Sequence, residues 1–372
     1  ELANGYDPND SSDASTDSDG DSLTRLQEFS YGSSDRNTDS DADTLPDDWE
    51  VVNGRDPATS DYMVSTGQNH TCAVDDAGVV CWGYNGYGKT NVPSLVSTAQ
   101  VSAGGNHTCA LGDTGVVCWG RAGGVCCGDW NGYQTEAPAL TNPTLLNVGA
   151  WHSCALDDTG VVCWGYDGSG AVSIPALSNP SQVTAGSSHT CALDDTGVVC
   201  WGNNGEGPAD VPNLINTTQV SAGGNHTCAL DDTGVVCWGD NSDGQTDIPN
   251  LSNPTQVSVS KYGDSATLYN SCALDDTGVV CWGNNDYSQT VIPTLTNPKK
   301  VSAGYGYACA LDDTGVVCWG LASSGQSTVP ELMIDPDGDS YTNQGGLDAF
   351  PLDSTEWLDT DLDGIGNNSD TD

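Results

Sequence analysis

Residues 154–165 read CALDDTGVVCWG, and the same twelve residues recur at 191–202, 228–239, 272–283 and 309–320, with near copies at 72–83 and 109–120. The tryptophans of the seven copies, Trp82, Trp119, Trp164, Trp201, Trp238, Trp282 and Trp319, are spaced by 37, 45, 37, 37, 44 and 37 residues. The repeating unit is therefore 37 residues long, with insertions near Arg121 to Tyr133 and Ser258 to Asn270. A fixed period of this size marks a solenoid, a propeller or an array.

Each unit reads as a strand (QVSAG), a second strand (HTCAL), a turn (DDTG), a third strand (VVCWG) and a Gly-Asn-Asp loop leading to a V/I-P-x-L segment. Pairing Val74 with Val79 across the first turn also pairs Cys72 with Cys81 and Thr71 with Trp82. One sheet face then carries His70, Cys72, Val74, Val79 and Cys81, and the other carries Thr71, Ala73, Val80 and Trp82. Both faces are largely apolar, as expected of a sheet sandwiched between two neighbours. Short strands repeated seven times without a helical period predict an all-β fold, a seven-bladed β-propeller with about 37-residue blades.

Cysteines directly opposite on antiparallel strands at a non-hydrogen-bonded site lie within disulfide range. The expected pairs are Cys72 with Cys81, Cys109 with Cys118, Cys154 with Cys163, Cys191 with Cys200, Cys228 with Cys237, Cys272 with Cys281, and Cys309 with Cys318. Zinc is the weaker reading, because two cysteines per blade leave each site two ligands short. Cys126 and Cys127 remain, either bridged to each other or bonded to another chain. Sixteen cysteines suit an oxidising compartment, so an extracellular or cell-surface location is expected.

At these residues the chain resembles the regulator of chromosome condensation repeat family, whose His-Ser/Thr, Ala-Leu, Gly and Trp-Gly pattern appears here as HTCALDDTGVVCWG. WGDNSDGQTDIPNL at Trp238 to Leu251 is similar to the compact bacterial branch, which includes a propeller-type β-lactamase inhibitor protein. The resemblance covers about 270 residues and implies the fold. Propellers host many activities, so it does not imply a function.

Eight Lys and Arg stand against fifty-two Asp and Glu, for a formal charge of −44. Such a chain repels phosphate backbones, so nucleic acid is not an expected partner. No apolar run approaches a membrane span. Only seven of the acids are Glu, and an excess of Asp points to turns and hard-cation ligands.

DSDGDSLTRLQE places Asp17, Asp19, Asp21 and Glu28 at positions 1, 3, 5 and 12 of an EF-hand-type loop, with the Leu23 carbonyl at position 7. DSDADTLPDDWE places Asp39, Asp41, Asp43, Leu45 and Glu50 identically. Oxygen ligands at this spacing wrap one calcium ion. Ser22 and Thr44 replace the glycine of position 6, which predicts weak, extracellular-type affinity. Towards the C-terminus, Asp335, Asp337, Asp339, Tyr341 and Asp348 form a third candidate set, and Asp359, Asp361, Asp363, Ile365 and Asp370 a fourth. These stretches resemble thrombospondin type 3 calcium repeats; a disordered acidic linker is the plainer alternative. The expected organisation is calcium repeats at 1–61, a propeller at 62–331 and further calcium repeats at 332–372. Because the chain opens and stops inside acidic motifs, it is expected to be a mature fragment or part of something longer.

His70, His107, His152, His189 and His226 occupy one position in successive blades, replaced by Asn270 and Tyr307 in the last two. Sevenfold equivalence spreads them around the ring, so structural hydrogen bonding is expected rather than catalysis. The paired acids, such as Asp157 and Asp158, read as turn caps. The insertion carrying Trp130 and Tyr133 is the best single candidate for a recognition loop, with an ornamental loop closed by its own disulfide as the alternative. Of the Asn-x-Ser/Thr sites at Asn69, Asn106, Asn216 and Asn225, Asn216 is the best placed for glycosylation.

No nucleophile triad or phosphate loop appears, and a polysaccharide lyase would need convergent acids or bases that are not found. The leading expectation is a non-enzymatic extracellular calcium-binding module for adhesion or structure, polymerising head-to-tail, with other copies of itself or cell-surface and matrix components as partners. The alternative is a secreted binding or inhibitory protein that uses one propeller face against an enzyme or a glycan.

Overall fold

The computed structural model describes residues 16–18, 22–31, 51, 62–96, 98–121, 134–261, 268–332 and 334. The chain forms two compact units, Glu1–Tyr62 and Met63–Asp372.

In the second unit, twenty-one strands make seven antiparallel sheets of three, each in the order inner, middle, outer. The first blade comprises β1 (Met63–Thr66), β2 (His70–Asp75) and β3 (Gly78–Gly83). Its register is Thr71 with Trp82, Cys72 with Cys81 and Val74 with Val79, as the alternation of side chains requires. The seven hairpin pairs are disulfides, from Cys72–Cys81 to Cys309–Cys318, with Cα separations of 4.0 to 4.1 Å. Blades pack face to face: Cys72, Val74, Val79 and Cys81 of the first meet Val101, Ala103, Ala110 and Trp119 of the second.

The double aspartate builds the hairpin tip. Asp157 Oδ1 accepts from the backbone N–H and the hydroxyl of Thr159 at 2.8 and 2.6 Å, and its Oδ2 accepts from Thr141 N at 2.9 Å. Those bonds hold its carboxyl below the ordinary range. Asp158 accepts from Asn142 Nδ2 at 2.6 Å, and Asn142 is left-handed at φ 48°, a conformation Asn tolerates through such local bonding.

Three sets of bonds join the blades. On the inner strands, Ser65, Ser102, Asn147, Thr184, Ser221, Ser258 and Ser302 each accept an N–H from the inner strand of the next blade, at 3.0 to 3.3 Å. Every junction is covered, and Thr66 to Ser302 closes the circle. Each tryptophan indole N–H donates to a carbonyl of the preceding linker, from Lys89 for Trp119 round to Gln326 for Trp82 at 3.0 Å. At the shaft, main-chain N–H groups reach the following blade, as from Ala150 to the Gly186 carbonyl at 3.0 Å. The approach is close enough that a side chain at Gly149 would collide with that carbonyl, which is why glycine stands there.

Candidate functional site: a recognition face and an acidic loop

The middle strand runs from its His end to its Asp end, and the outer strand returns to Trp-Gly. The inner-to-middle turns and the loops after Trp-Gly therefore share one face of the propeller, while the hairpin tips form the other. Arg121 and Lys261, the described residues that precede the two insertions, stand on the first of these faces. Residues 122–133, with Cys126, Cys127, Trp130 and Tyr133, lie outside the described residues, as do 262–267.

The described part of this face is aromatic. Tyr84, Tyr87 and Tyr287 are each about half exposed. Tyr87 adopts φ 70°, a conformation non-glycine residues hold only when their surroundings enforce it. The Arg121 guanidinium lies 4.9 Å over its ring, within cation–π range. Lys89 is buried, lies 5.2 Å over the Tyr84 ring and donates to the Gly105 carbonyl at 2.9 Å. Burial lowers its ammonium to about 8.

The shaft is obstructed at this end. Ala150 and Trp151 of the third blade, Leu268 of the sixth and Tyr305 of the seventh pack together. Lys261 Nζ lies 3.3 Å from both Asn147 Oδ1 and the Val148 carbonyl, reaching from the sixth blade to the third. Burial lowers it to about 8 as well. Nothing local in the sequence signals this contact, because it spans more than a hundred residues.

The five histidines do not converge. Each is buried, and its Nε2 lies 2.7 to 2.9 Å from a hydroxyl of the next blade: Thr108, Ser153, Thr190, Thr227 and Ser271 in order. Burial pulls His107 and His189 down to about 3, and His152 and His226 to about 4. Tyr307 fills the histidine position in the seventh blade and reaches Thr71 at 2.9 Å; burial raises its phenol. At the remaining junction Asn270 faces a blade that carries Ala308 where the others have Thr or Ser. Asn270 Oδ1 is buried without a hydrogen-bond partner.

In the first unit, helix α1 (Arg25–Tyr31) follows the first acidic loop. Asp17 Oδ2 accepts from Ser22 N at 3.2 Å, and Ser22 takes φ 79°, so serine supplies the left-handed turn that glycine usually makes at position 6. Gln27 Oε1 accepts from Thr24 N at 2.9 Å, the reciprocal half of a capping box. Leu23 and Glu28 are buried. These features fit a calcium loop in which Asp17, the Leu23 carbonyl and Glu28 are ligands. Asp19 and Asp21 of this loop, the second set from Asp39 to Glu50 and the C-terminal sets from Asp335 to Asp370 lie outside the described residues. Among the described residues no three His, Cys, Asp or Glu side chains cluster to hold a metal.

Of the glycosylation candidates, Asn216 is exposed but its Nδ2 donates to Asp232 at 2.6 Å, and Asn225 Nδ2 reaches the Tyr269 hydroxyl at 3.2 Å.

Residues 64–89, 99–123, 181–207, 218–245 and 299–326 match the regulator of chromosome condensation (RCC1) repeat. The fold is an RCC1-like β-propeller. The match covers the first, second, fourth, fifth and seventh blades of this RCC1-like propeller. The ectodomain of the Physcomitrella patens receptor kinase CR4 is similar at 22% identity, over 69% of this chain and 73% of that one, with a TM-score of 0.56. The CRINKLY WD40 ectodomain of the Arabidopsis thaliana receptor kinase ACR4 is similar at 22% identity, over 70% and 97%, with a TM-score of 0.53. At that identity the likeness concerns the fold. No curated protein sequence matches the chain. The seven disulfides fit an oxidising, extracellular setting.

Proposed function

We propose that this RCC1-like propeller is a non-enzymatic extracellular binding module that recognises surface or matrix components through the face that carries Tyr84, Tyr87 and Tyr287. The observation that carries this reading is the exposure of Tyr84, Tyr87 and Tyr287 on that one face. Tyrosines on rigid loops bury large contact area at low entropic cost. The opposite resource, the buried histidine ring, is committed to holding blades together and is not available for chemistry. The acidic loop at Asp17 to Glu28 serves as a calcium-ordered connector; calcium, when bound, supplies charge neutralisation and fixes the loop. Adhesion and head-to-tail assembly follow from that pairing of a rigid recognition body with ion-stiffened ends.

The test is binding to immobilised panels of glycans and of extracellular-matrix proteins, comparing the native chain with a Tyr84→Ala, Tyr87→Ala, Tyr287→Ala variant. Loss of a bound partner in the variant supports the reading. Equal binding by both proteins moves recognition away from this face.

A further inference from the structure

The two edges of each blade are treated differently. On the inner edge, the outward N–H groups are capped by side chains of the preceding blade, as Ser65 Oγ caps Ala103 N and Gln182 Oε1 caps Val220 N. Among the described residues the outer edge of the first six blades is uncapped. A Cα separation of 4.1 Å across Cys72–Cys81 marks the narrow, non-hydrogen-bonded pair. The N–H and C=O groups of Cys81 therefore point away from β2, and by the two-residue period so do those of Val79 and Gly83. Among the described residues none of these groups has a partner, and the same holds for Val198 and Cys200 in the fourth blade. The outer strands of the first six blades repeat one sequence, GVVCWG, without a charge, a proline or a bulge. Those are the devices that usually protect such an edge.

We infer that these outer strands are a self-association surface, pairing edge to edge and antiparallel with the outer strand of a second copy of this chain, and that the chain's own negative charge holds the copies apart at low ionic strength. A second copy fits because the strand is self-complementary: the same outward groups face each other when one edge is turned about a two-fold axis. Charge decides the direction. Parallel pairing would stack one Asp-Asp tip on another. Antiparallel pairing sets the tips about 20 Å apart, twice the screening length of about 10 Å at 0.1 M salt. Several edges per molecule allow weak contacts to add through avidity. The inference is independent of calcium and of the tyrosine face.

The experiment is sedimentation of the full, oxidised chain in chelator, at about 0.01 M and about 1 M NaCl, where the screening length falls from about 30 to about 3 Å. Residue-resolved amide exchange is read on both samples. The expected result is monomer at low salt and dimers or larger species at high salt, with the amides of Val79, Cys81 and their equivalents slowed roughly tenfold or more once hydrogen-bonded. The amides of Val80 and Trp82, already bonded to β2, stay unchanged. A monomer in both salts overturns the inference, even if an added foreign peptide protects the same amides. Association that leaves the outward amides fast overturns it equally, since the contact then lies elsewhere.

Discussion

His189 Nε2 lies 2.9 Å from Thr227 Oγ1, and that hydroxyl spends its only proton on the Pro208 carbonyl at 2.9 Å. The hydroxyl must therefore accept from histidine, which fixes the proton on Nε2. The same argument holds at His70, His152 and His226, where Thr108, Thr190 and Ser271 donate to Lys89, Ala171 and Gln245. In His70, His152 and His226 the opposite nitrogen, Nδ1, is buried with no partner. Protonating it would bury an unsatisfied N–H and a charge together.

Acid sensitivity follows. An unfolded imidazole titrates near 6.5, whereas burial holds folded His107, His152, His189 and His226 down at about 3 to 4. Between those values the unfolded chain binds more protons, so the stabilisation is complete above pH 6.5 and is lost as pH falls towards 4. Each of these four histidines contributes a slope of about 1.4 kcal/mol per pH unit in that window. Denaturant midpoints at pH 7 and pH 4.5 should differ sharply, and a His226→Gln variant should show a shallower decline. Equal midpoints would show that the ring is not held neutral.

The junction between the sixth and seventh blades is the weak seam. It lacks the histidine–hydroxyl bridge, leaves Asn270 Oδ1 unsatisfied, and among the described residues has no main-chain bond from Lys261 to Gly304. Installing Asn270→His with Ala308→Thr should supply the missing bridge and raise stability by about 1 kcal/mol. Either change alone should not. Unfolding of the two single variants and the double variant, read as a cycle, checks this; additive effects would mean that no bridge forms.

Most of this architecture is legible in CALDDTGVVCWG, because period-two alternation, paired cysteines and a turn motif each depend on neighbours in sequence. Substitution at Asn270 marked the sixth blade as exceptional for the same reason. What escaped were relations that need the closed ring. The serine capping of inner strands, the left-handed Asn142 held by Asp158, and the Lys261–Asn147 contact across the shaft join residues from different blades or linkers. No local pattern encodes them.

Calcium affinity should respond to Ser22. A non-glycine residue at φ 79° carries a backbone cost of about 1 kcal/mol. In the calcium-loop reading, Ser22→Gly removes that cost and should tighten binding about fivefold. Calorimetric titration of both proteins measures it, with amide exchange over residues 16–31 slowing on calcium addition. Unchanged exchange in the native chain at saturating calcium would remove the loop from the calcium-binding reading.

Lys261 offers a test of the obstructed shaft. Among the described residues its ammonium has only carbonyl partners, at 3.3 Å, and no carboxylate is among them. Burial lowers it from the ordinary 10.5 to about 8, so the unfolded chain holds the proton more tightly between those values. Stability due to this residue is complete above pH 10.5 and is lost as pH falls towards 8, below which the full penalty of a desolvated charge is present. A Lys261→Met variant keeps the length of the side chain and discards the charge. At pH 7 it should be more stable than the native protein by about 1 to 2 kcal/mol, a figure reduced for the partial exposure of the residue. The advantage should shrink as pH rises towards 10.5, where the native amine is neutral in both states. A variant that is less stable at pH 7 would show that the carbonyl bonds outweigh the cost of burial, and that Lys261 is a tie between the third and sixth blades rather than a charged plug.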